Sequence, residues 1–186
     1  MANSMTRASR LRLMLVLLIT LVGCDQASKH YAVNHWKGQP RQSFFNDVFR
    51  IEYAENEGAF LSMFGTLSPA VRYAILVVGN GIGMTVLAVL LLGVAKIDRW
   101  SYVAWILVFV GGIGNLIDRI RIQAVIDFLN LGVSPGLRTG IFNVADIAIS
   151  AGFLMLVPQI FMPPKSDKDI ETSSDSPPAV SPGTSS

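Results

Sequence analysis

Between Tyr73 and Ala95 the chain runs for 23 residues without a charged side chain. The hydrocarbon core of a bilayer is about 30 Å thick and takes roughly 20 helical residues to cross. Lipid offers no partner for a backbone N–H or C=O, so such a segment crosses only as a helix. One uninterrupted span therefore sets the class, and the composition agrees with it. Hydrophobic residues make up 51% of the 186 and charged residues 15%, against roughly 25% charged in soluble domains. With a net charge of +2 and scattered basic residues, there is no nucleic-acid patch. A single cysteine, Cys24, excludes a disulfide scaffold.

Three further stretches are long and apolar enough to follow. Residues 11–33 reach bilayer length only if Asp25 and Lys29 sit in the outer part of the helix, where their spacing of four places them on one face. Trp100 to Ile117 adds 18 uncharged residues, with Trp100, Tyr102 and Trp105 placed as interfacial anchors and Asp118-Arg119 closing the span. Ile141 to Met162 is broken near its start by Asn143 and Asp146, and Pro158 should kink or fray its last turn. The expected fold is thus all-α, with four transmembrane helices at about 11–33, 73–95, 100–117 and 141–162 in one domain covering 1–164. Gly79, Gly81 and Gly83, and then Gly111, Gly112 and Gly114, would allow close helix approach.

Two connections are long. Residues 34–70 contain Phe49 to Tyr53, which alternates apolar and polar like a half-buried strand, and Val125 to Leu131 reads as a second short strand. They suggest a small β-cradle outside the bilayer. Pro69 suits the first turn of the helix entering span two. Residues 165–186, rich in Ser, Pro and acid, are expected to form a disordered tail. Arg7, Arg10 and Arg12, with Lys96 and Arg99 in the second connection, favour cytoplasmic termini. Lys37, Arg41, Arg50, Arg119, Arg121 and Arg138 in the other connections weigh against that orientation.

Asp146 stands out, six residues into an apolar segment, where a carboxylate at mid-span costs about 2.5–3.5 kcal/mol on insertion scales. Asp127 lies 19 residues earlier and toward the same side of the membrane. Two carboxylates in a poorly solvated site resist double ionisation, so one keeps a proton. Such a pair can hold a water, deprotonate it and protonate a leaving amine. Taken alone, Asp146 reads more readily as a helix-start residue that satisfies the N-terminal dipole.

The surrounding blocks are more specific. In order they are Asp25-Gln26-Ala27-Ser28-Lys29, Asn56-Glu57-Gly58-Ala59-Phe60, Gly111 through Arg119, Val125-Ile126-Asp127-Phe128, and Phe142-Asn143-Val144-Ala145-Asp146. This ordered set, over roughly residues 11–160, resembles the lipoprotein signal peptidase family, also called signal peptidase II. The resemblance implies a bacterial intramembrane aspartic endopeptidase that cuts prolipoproteins on the amino side of a diacylglyceryl-modified cysteine. It implies Asp127 and Asp146 as the catalytic dyad and Asn56 as a substrate-contacting residue of the first outer loop. Asn115 and Arg119 match substrate-pocket residues, with Asp118 beside them. Asn143 and Ala145 flank the dyad, and Asp25 and Lys29 match the polar pair of span one. Gly58 would be the flexible point of a flap from Asn56 to Phe60. Two departures stand out: Gln123 where many members have glycine, and Arg138-Thr139-Gly140 where many have Trp-Pro.

Bland readings run beside these. Asp25 and Lys29 neutralise each other as a buried pair, Arg119 snorkels beside Asp118, Asn115 and Asn143 tie helix ends, and Asn56 to Phe60 forms an ordinary turn. The implied partners are lipidated prolipoproteins and membrane lipid, with no metal or cofactor and a monomeric state. The implied location is the bacterial inner membrane, multi-pass, with both termini cytoplasmic and the site facing outward. Two rival classes remain. Leu21-Val22-Gly23-Cys24 after a basic arm matches a lipoprotein signal, which would make the chain a lipoprotein modified at Cys24, although Cys24 reads otherwise as a small buried helix residue. An intramembrane Asp146 with glycine-rich helices also suits a small transporter or channel.

Overall fold

The computed structural model describes residues 5–58, 66–93, 97–134 and 136–161. Three helices have the length and hydropathy to cross a membrane: α1 (Arg7–His35), α2 (Pro69–Gly93) and α3 (Arg99–Ile122). A fourth apolar helix, α4 (Val144–Phe161), follows. Between them lies a four-stranded antiparallel sheet of β1 (Gln42–Phe44), β2 (Phe49–Asn56), β3 (Val125–Ser134) and β4 (Leu137–Arg138), ordered β1-β2-β3-β4. The chain is thus mostly helical with a real sheet. The expected strands are present but longer than Phe49–Tyr53 and Val125–Leu131. Met1–Leu156 form one compact unit; of the second, Val157–Ser186, the described part is the end of α4. The expected tail, 165–186, lies outside the described residues.

Local chemistry explains the helix ends. Thr6 caps α1 by accepting the Ser9 N–H at 3.2 Å. Pro69 occupies the first turn of α2 after Ser68, as its fixed φ and missing N–H favour. Asp98 caps α3, accepting the Ser101 N–H at 2.9 Å. This helix does not close at Asp118-Arg119; it runs on to Ile122 and stops at Gln123, whose φ is +60° and whose N–H bonds the Arg119 carbonyl at 3.0 Å. Gln123 therefore holds the left-handed position that glycine usually fills. At the other boundary, α4 starts at Val144 rather than Ile141. Phe142 is drawn into an antiparallel bridge with Leu129, with two hydrogen bonds of 2.8 Å. Asp146 consequently lies in the first helical turn, not six residues in.

α3 is the central helix. Its apolar window is 61% buried, against 11% for α1 and 17% for α2, so α3 meets protein where the other two present side chains such as Ile19 and Val89 outward. Tyr102 is fully buried in the core beside Met14, Ile106 and Val110, with the Arg10 guanidinium 5.8 Å from its ring. It is not an interfacial anchor. Trp100 is exposed and donates to the Met155 carbonyl at 2.7 Å.

The glycines divide sharply. A Cβ on Gly111 would fall on the Ala145 carbonyl and Ile149, and one on Gly152 on the Ala104 carbonyl and Val108. Gly114 faces Asp25 and Ala145, and Gly112 faces Met84. α3 and α4 therefore touch backbone to backbone. Gly79, Gly81 and Gly83 serve no comparable approach: the Cβ position at Gly83 is open, and that at Gly81 only reaches Leu116 at 4.0 Å. Cys24 is exposed on an unbroken α1, not buried.

The second departure, Arg138-Thr139-Gly140, is accommodated at the sheet. Arg138 donates to the Asn130 side chain and to the Asp47 carbonyl, each at 2.6 Å, tying β4 to the β1–β2 turn. Thr139 N–H bonds the Leu131 carbonyl at 2.7 Å. Asp127 pairs with Ala54, and Asn56 with Val125, so Asn56 and Asp127 share one face of the sheet. Tyr53, Glu55 and Ile126 occupy the other.

Candidate active site

β3 leaves the end of α3 and α4 begins where the chain returns, so both acids arrive at one place. Asp127 is 2% exposed. Its Oδ1 accepts the Asn143 side-chain amide at 2.6 Å and its Oδ2 accepts the Asn56 amide at 3.1 Å. Asp146 accepts the Asn115 amide at 2.8 Å on Oδ1 and the Asn143 backbone N–H at 3.2 Å on Oδ2. The Asp146 N–H in turn donates to Asn143 Oδ1 at 3.0 Å. Asn143 and Asp146 thus form a reciprocal capping box at the start of α4. The helix-start reading of Asp146 and its presence beside Asp127 hold together, because one asparagine is bonded to both carboxyl groups.

A buried charged cluster supports this pair. Lys29 lies 2.9 Å from Asp25 and 2.8 Å from Asp118, all with side chains 2–3% exposed. Its third bond, 3.0 Å, goes to Asn115 Oδ1, which also accepts Asn143 at 3.2 Å. A lysine has three donors, and all three are used. With its oxygen held by Lys29, the Asn115 carboxamide can only turn its NH2 to Asp146. Asp25 also accepts the Ala145 N–H at 2.9 Å, one of the otherwise unpaired first-turn donors of α4. Asp118 reaches the Ile126 N–H at 3.3 Å. Asp25 and Lys29 do neutralise each other as an i,i+4 pair, but the pair also reaches Asn115 and Asp118 on α3 and the Ala145 N–H on α4.

Gln26 joins the same cluster. Its amide bonds Asp25 at 3.2 Å, Asp118 at 3.0 Å and the Gly114 carbonyl at 3.2 Å. Nothing in the sequence distinguishes it from any polar residue beside Asp25. Ala145 is buried against Gly114, which leaves room for a methyl group and little more. Arg119 does not pair with Asp118, which is taken by Lys29. It lies within electrostatic range of Asp146, Asp127 and Asp118, and its buried Nε has no hydrogen-bond partner. Gly58 N–H bonds Asn56 Oδ1 at 3.1 Å, which orients the Asn56 amide toward Asp127. Ala59 and Phe60, the rest of the expected flap, lie outside the described residues.

Burial pushes the Asp127 carboxyl up to about 6, helped by the charge of Asp146; the Asn56 and Asn143 amides pull it the other way. The arrangement is two carboxyl groups in a poorly solvated setting, each of their oxygens accepting a hydrogen bond, suited to general acid–base chemistry.

Comparison with known proteins gives the family. The family model described as signal peptidase (SPase) II matches residues 17–162. The lipoprotein signal peptidase of Clostridioides difficile (strain 630) is 31% identical over 144 residues, 77% of this chain and 91% of the relative. That of Streptococcus pyogenes serotype M2 is 33% identical over 147 residues, 78% and 91% of the two chains. Two solved structures of a bacterial membrane enzyme share the fold. One has a TM-score of 0.67 at 21% identity, covering 91% of this chain and 94% of the other. The second has a TM-score of 0.69 at 22% identity, covering 89% and 99%. A family match across most of the length, joined to relatives above 30% identity, makes this chain a member of the signal peptidase II family of membrane proteases.

Proposed function

We propose that this signal peptidase cuts prolipoproteins by aspartic catalysis at Asp127 and Asp146, on the amino side of a lipid-modified cysteine. The observation that carries the reading is the shared Asn143, bonded to Asp127 at 2.6 Å and to Asp146 at 3.2 Å. A water between the carboxyl groups gives a proton to Asp146 as its oxygen attacks the scissile carbonyl carbon. Asp127 gives its proton to the carbonyl oxygen. The resulting gem-diol collapses as the C–N bond breaks, and the leaving amine takes the proton held by Asp146 while Asp127 recovers its own. No covalent intermediate forms. Asn56 and Asn115 keep the carboxyl groups oriented without adding charge, and Arg119, which lies against the start of α2, would meet substrate from that side.

In this reading α4 is the fourth span, both termini are cytoplasmic and the dyad opens to the extracytoplasmic side. The substrate helix enters from the bilayer with its acyl chains left in lipid, and the enzyme acts as a monomer. The test is cleavage of a lipidated prolipoprotein by the purified chain. Asp127→Asn and Asp146→Asn should each abolish turnover with thermal stability retained, since each swap keeps shape and removes proton transfer. Full turnover by either variant rejects the dyad, and equal rates on lipidated and bare peptides reject the binding mode.

A further inference from the structure

The sheet face turned away from Asp127 lines a separate, open pocket of about 210 Å³. Tyr53, Glu55 and Ile126 form its wall, the final turns of α1 and α3 form its sides, and Gln26, Lys29 and Asp118 form its floor. The floor is internally satisfied, so it presents a polar but already paired surface. The charges available to a ligand come from His30, Lys37, Arg121 and Glu55.

Their pairing is incomplete. Lys37 lies 2.6 Å from Glu55 Oε1, with the two side chains 56% and 41% exposed, so solvent competes for this bridge. Glu55 Oε1 also accepts the Tyr53 hydroxyl at 2.7 Å, which leaves Oε2 facing no described donor. Arg121 is exposed and forms no ion pair among the described residues. His30 is bonded to Asn34 at 2.9 Å through Nε2, so Nδ1 is spare.

The level of the cavity in the membrane follows from its neighbours. Tyr31 stacks on His35 with ring centroids 3.9 Å apart and meets Trp36 edge-on at 5.3 Å, all at the end of α1. Tyrosine and tryptophan gather where headgroups meet hydrocarbon. Val33 and Ile122 at the cavity add apolar contact beside the charges. The ligand must also satisfy both signs. Two carboxylates line the cavity and two helix C-termini, each with a negative dipole end, meet there, so a bare anion is disfavoured. Arg121 and Lys37 equally disfavour a simple cation.

We propose that this cavity holds the zwitterionic headgroup of a phospholipid from the leaflet in which α1 and α3 end. Its phosphodiester rests on Arg121, His30 and Lys37, and its ammonium rests on Glu55. The site lies behind the sheet and takes no part in peptide cleavage.

The test is native mass spectrometry of the full chain, delipidated in detergent and then supplied with phosphatidylethanolamine, phosphatidylglycerol or inorganic phosphate. Wild type should retain phosphatidylethanolamine above phosphatidylglycerol. Arg121→Gln and Glu55→Gln should each lower its retention about tenfold, the worth of one charge-assisted hydrogen bond. Arg41→Gln, a surface change outside the cavity, should not. Both cavity variants sit on exposed side chains, so cleavage activity and thermal unfolding should match wild type and confirm that the fold is intact. Equal retention by wild type and Arg121→Gln overturns the site. Equal binding of phosphatidylglycerol overturns the zwitterion, and displacement of lipid by inorganic phosphate alone makes it a free-anion site.

Discussion

Replacing Lys29 with methionine keeps the bulk of the side chain and removes its charge from the centre of the support cluster. The ammonium makes three bonds, at 2.9 Å to Asp25, 2.8 Å to Asp118 and 3.0 Å to Asn115, with every partner buried. In Lys29→Met, Asp25 keeps Gln26 and the Ala145 N–H, and Asp118 keeps Gln26 and the Ile126 N–H, but two buried carboxylates lose their counter-charge. Breaking a buried pair in this way costs about 3–5 kcal/mol. For a chain of this size that is a fall in Tm of roughly 6–20 °C. Thermal unfolding in detergent measures it. Replacing the whole cluster (Asp25→Asn, Lys29→Met and Asp118→Asn together) should recover most of the loss, because a neutral buried set is often no less stable than a charged one. The same change leaves the Asn115 oxygen held only by the Asn143 amide at 3.2 Å, so its carboxamide is less firmly turned toward Asp146. Turnover of folded Lys29→Met should then fall about 100-fold, as small misplacements of catalytic groups do, with KM little changed. A loss under about 1 kcal/mol with unaltered turnover would refute the argument.

Further outcomes follow from other positions. Gly111→Ala and Gly152→Ala force a Cβ onto a facing carbonyl and should each cost about 1–3 kcal/mol in thermal unfolding, whereas Gly83→Ala, with open space at Cβ, should be neutral or stabilising. Gln123→Gly should stabilise by about 1 kcal/mol, since φ at this position is +60° and the Gln123 side chain makes no hydrogen bond among the described residues. If Asp127 supplies the proton, it is protonated below about pH 6 and loses that proton above it, so kcat/KM should decline as pH rises through that value. Asn56→Ala removes an amide that favours the ionised form, which should move the declining limb to higher pH; a limb that moves down or stays fixed contradicts the assignment.

How far the site could be read in advance differs by residue. Asp127, Asn143 and Asp146 stood in recognisable blocks, and Asp146 was conspicuous because an acid in an apolar segment demands a reason. Gln26 was not legible, since its three partners come from α1 itself and from α3, 88 and 92 residues away. From the sequence Arg119 reads as snorkelling beside its neighbour Asp118, yet Lys29 claims that carboxylate from another helix. Tyr102 looked like an anchor by position along the span, but rotation about the helix axis turns it to the core.

Hydrophobic runs alone determined that this chain belongs in a membrane, because burying uncharged segments of bilayer length is a property of composition and length. Glycine and proline placement added the start of α2 and the close-packing potential of α3. Only the tertiary structure decided which glycines are used, where α4 begins and which acid pairs with which base. Those outcomes depend on contacts between distant segments: Phe142 pairs with Leu129 and delays α4, and the backbone approach of α3 to α4 brings Asn115 to Asp146. Local sequence carries propensity, whereas the competition among several buried donors for the same few acceptors is settled only once the chain has folded.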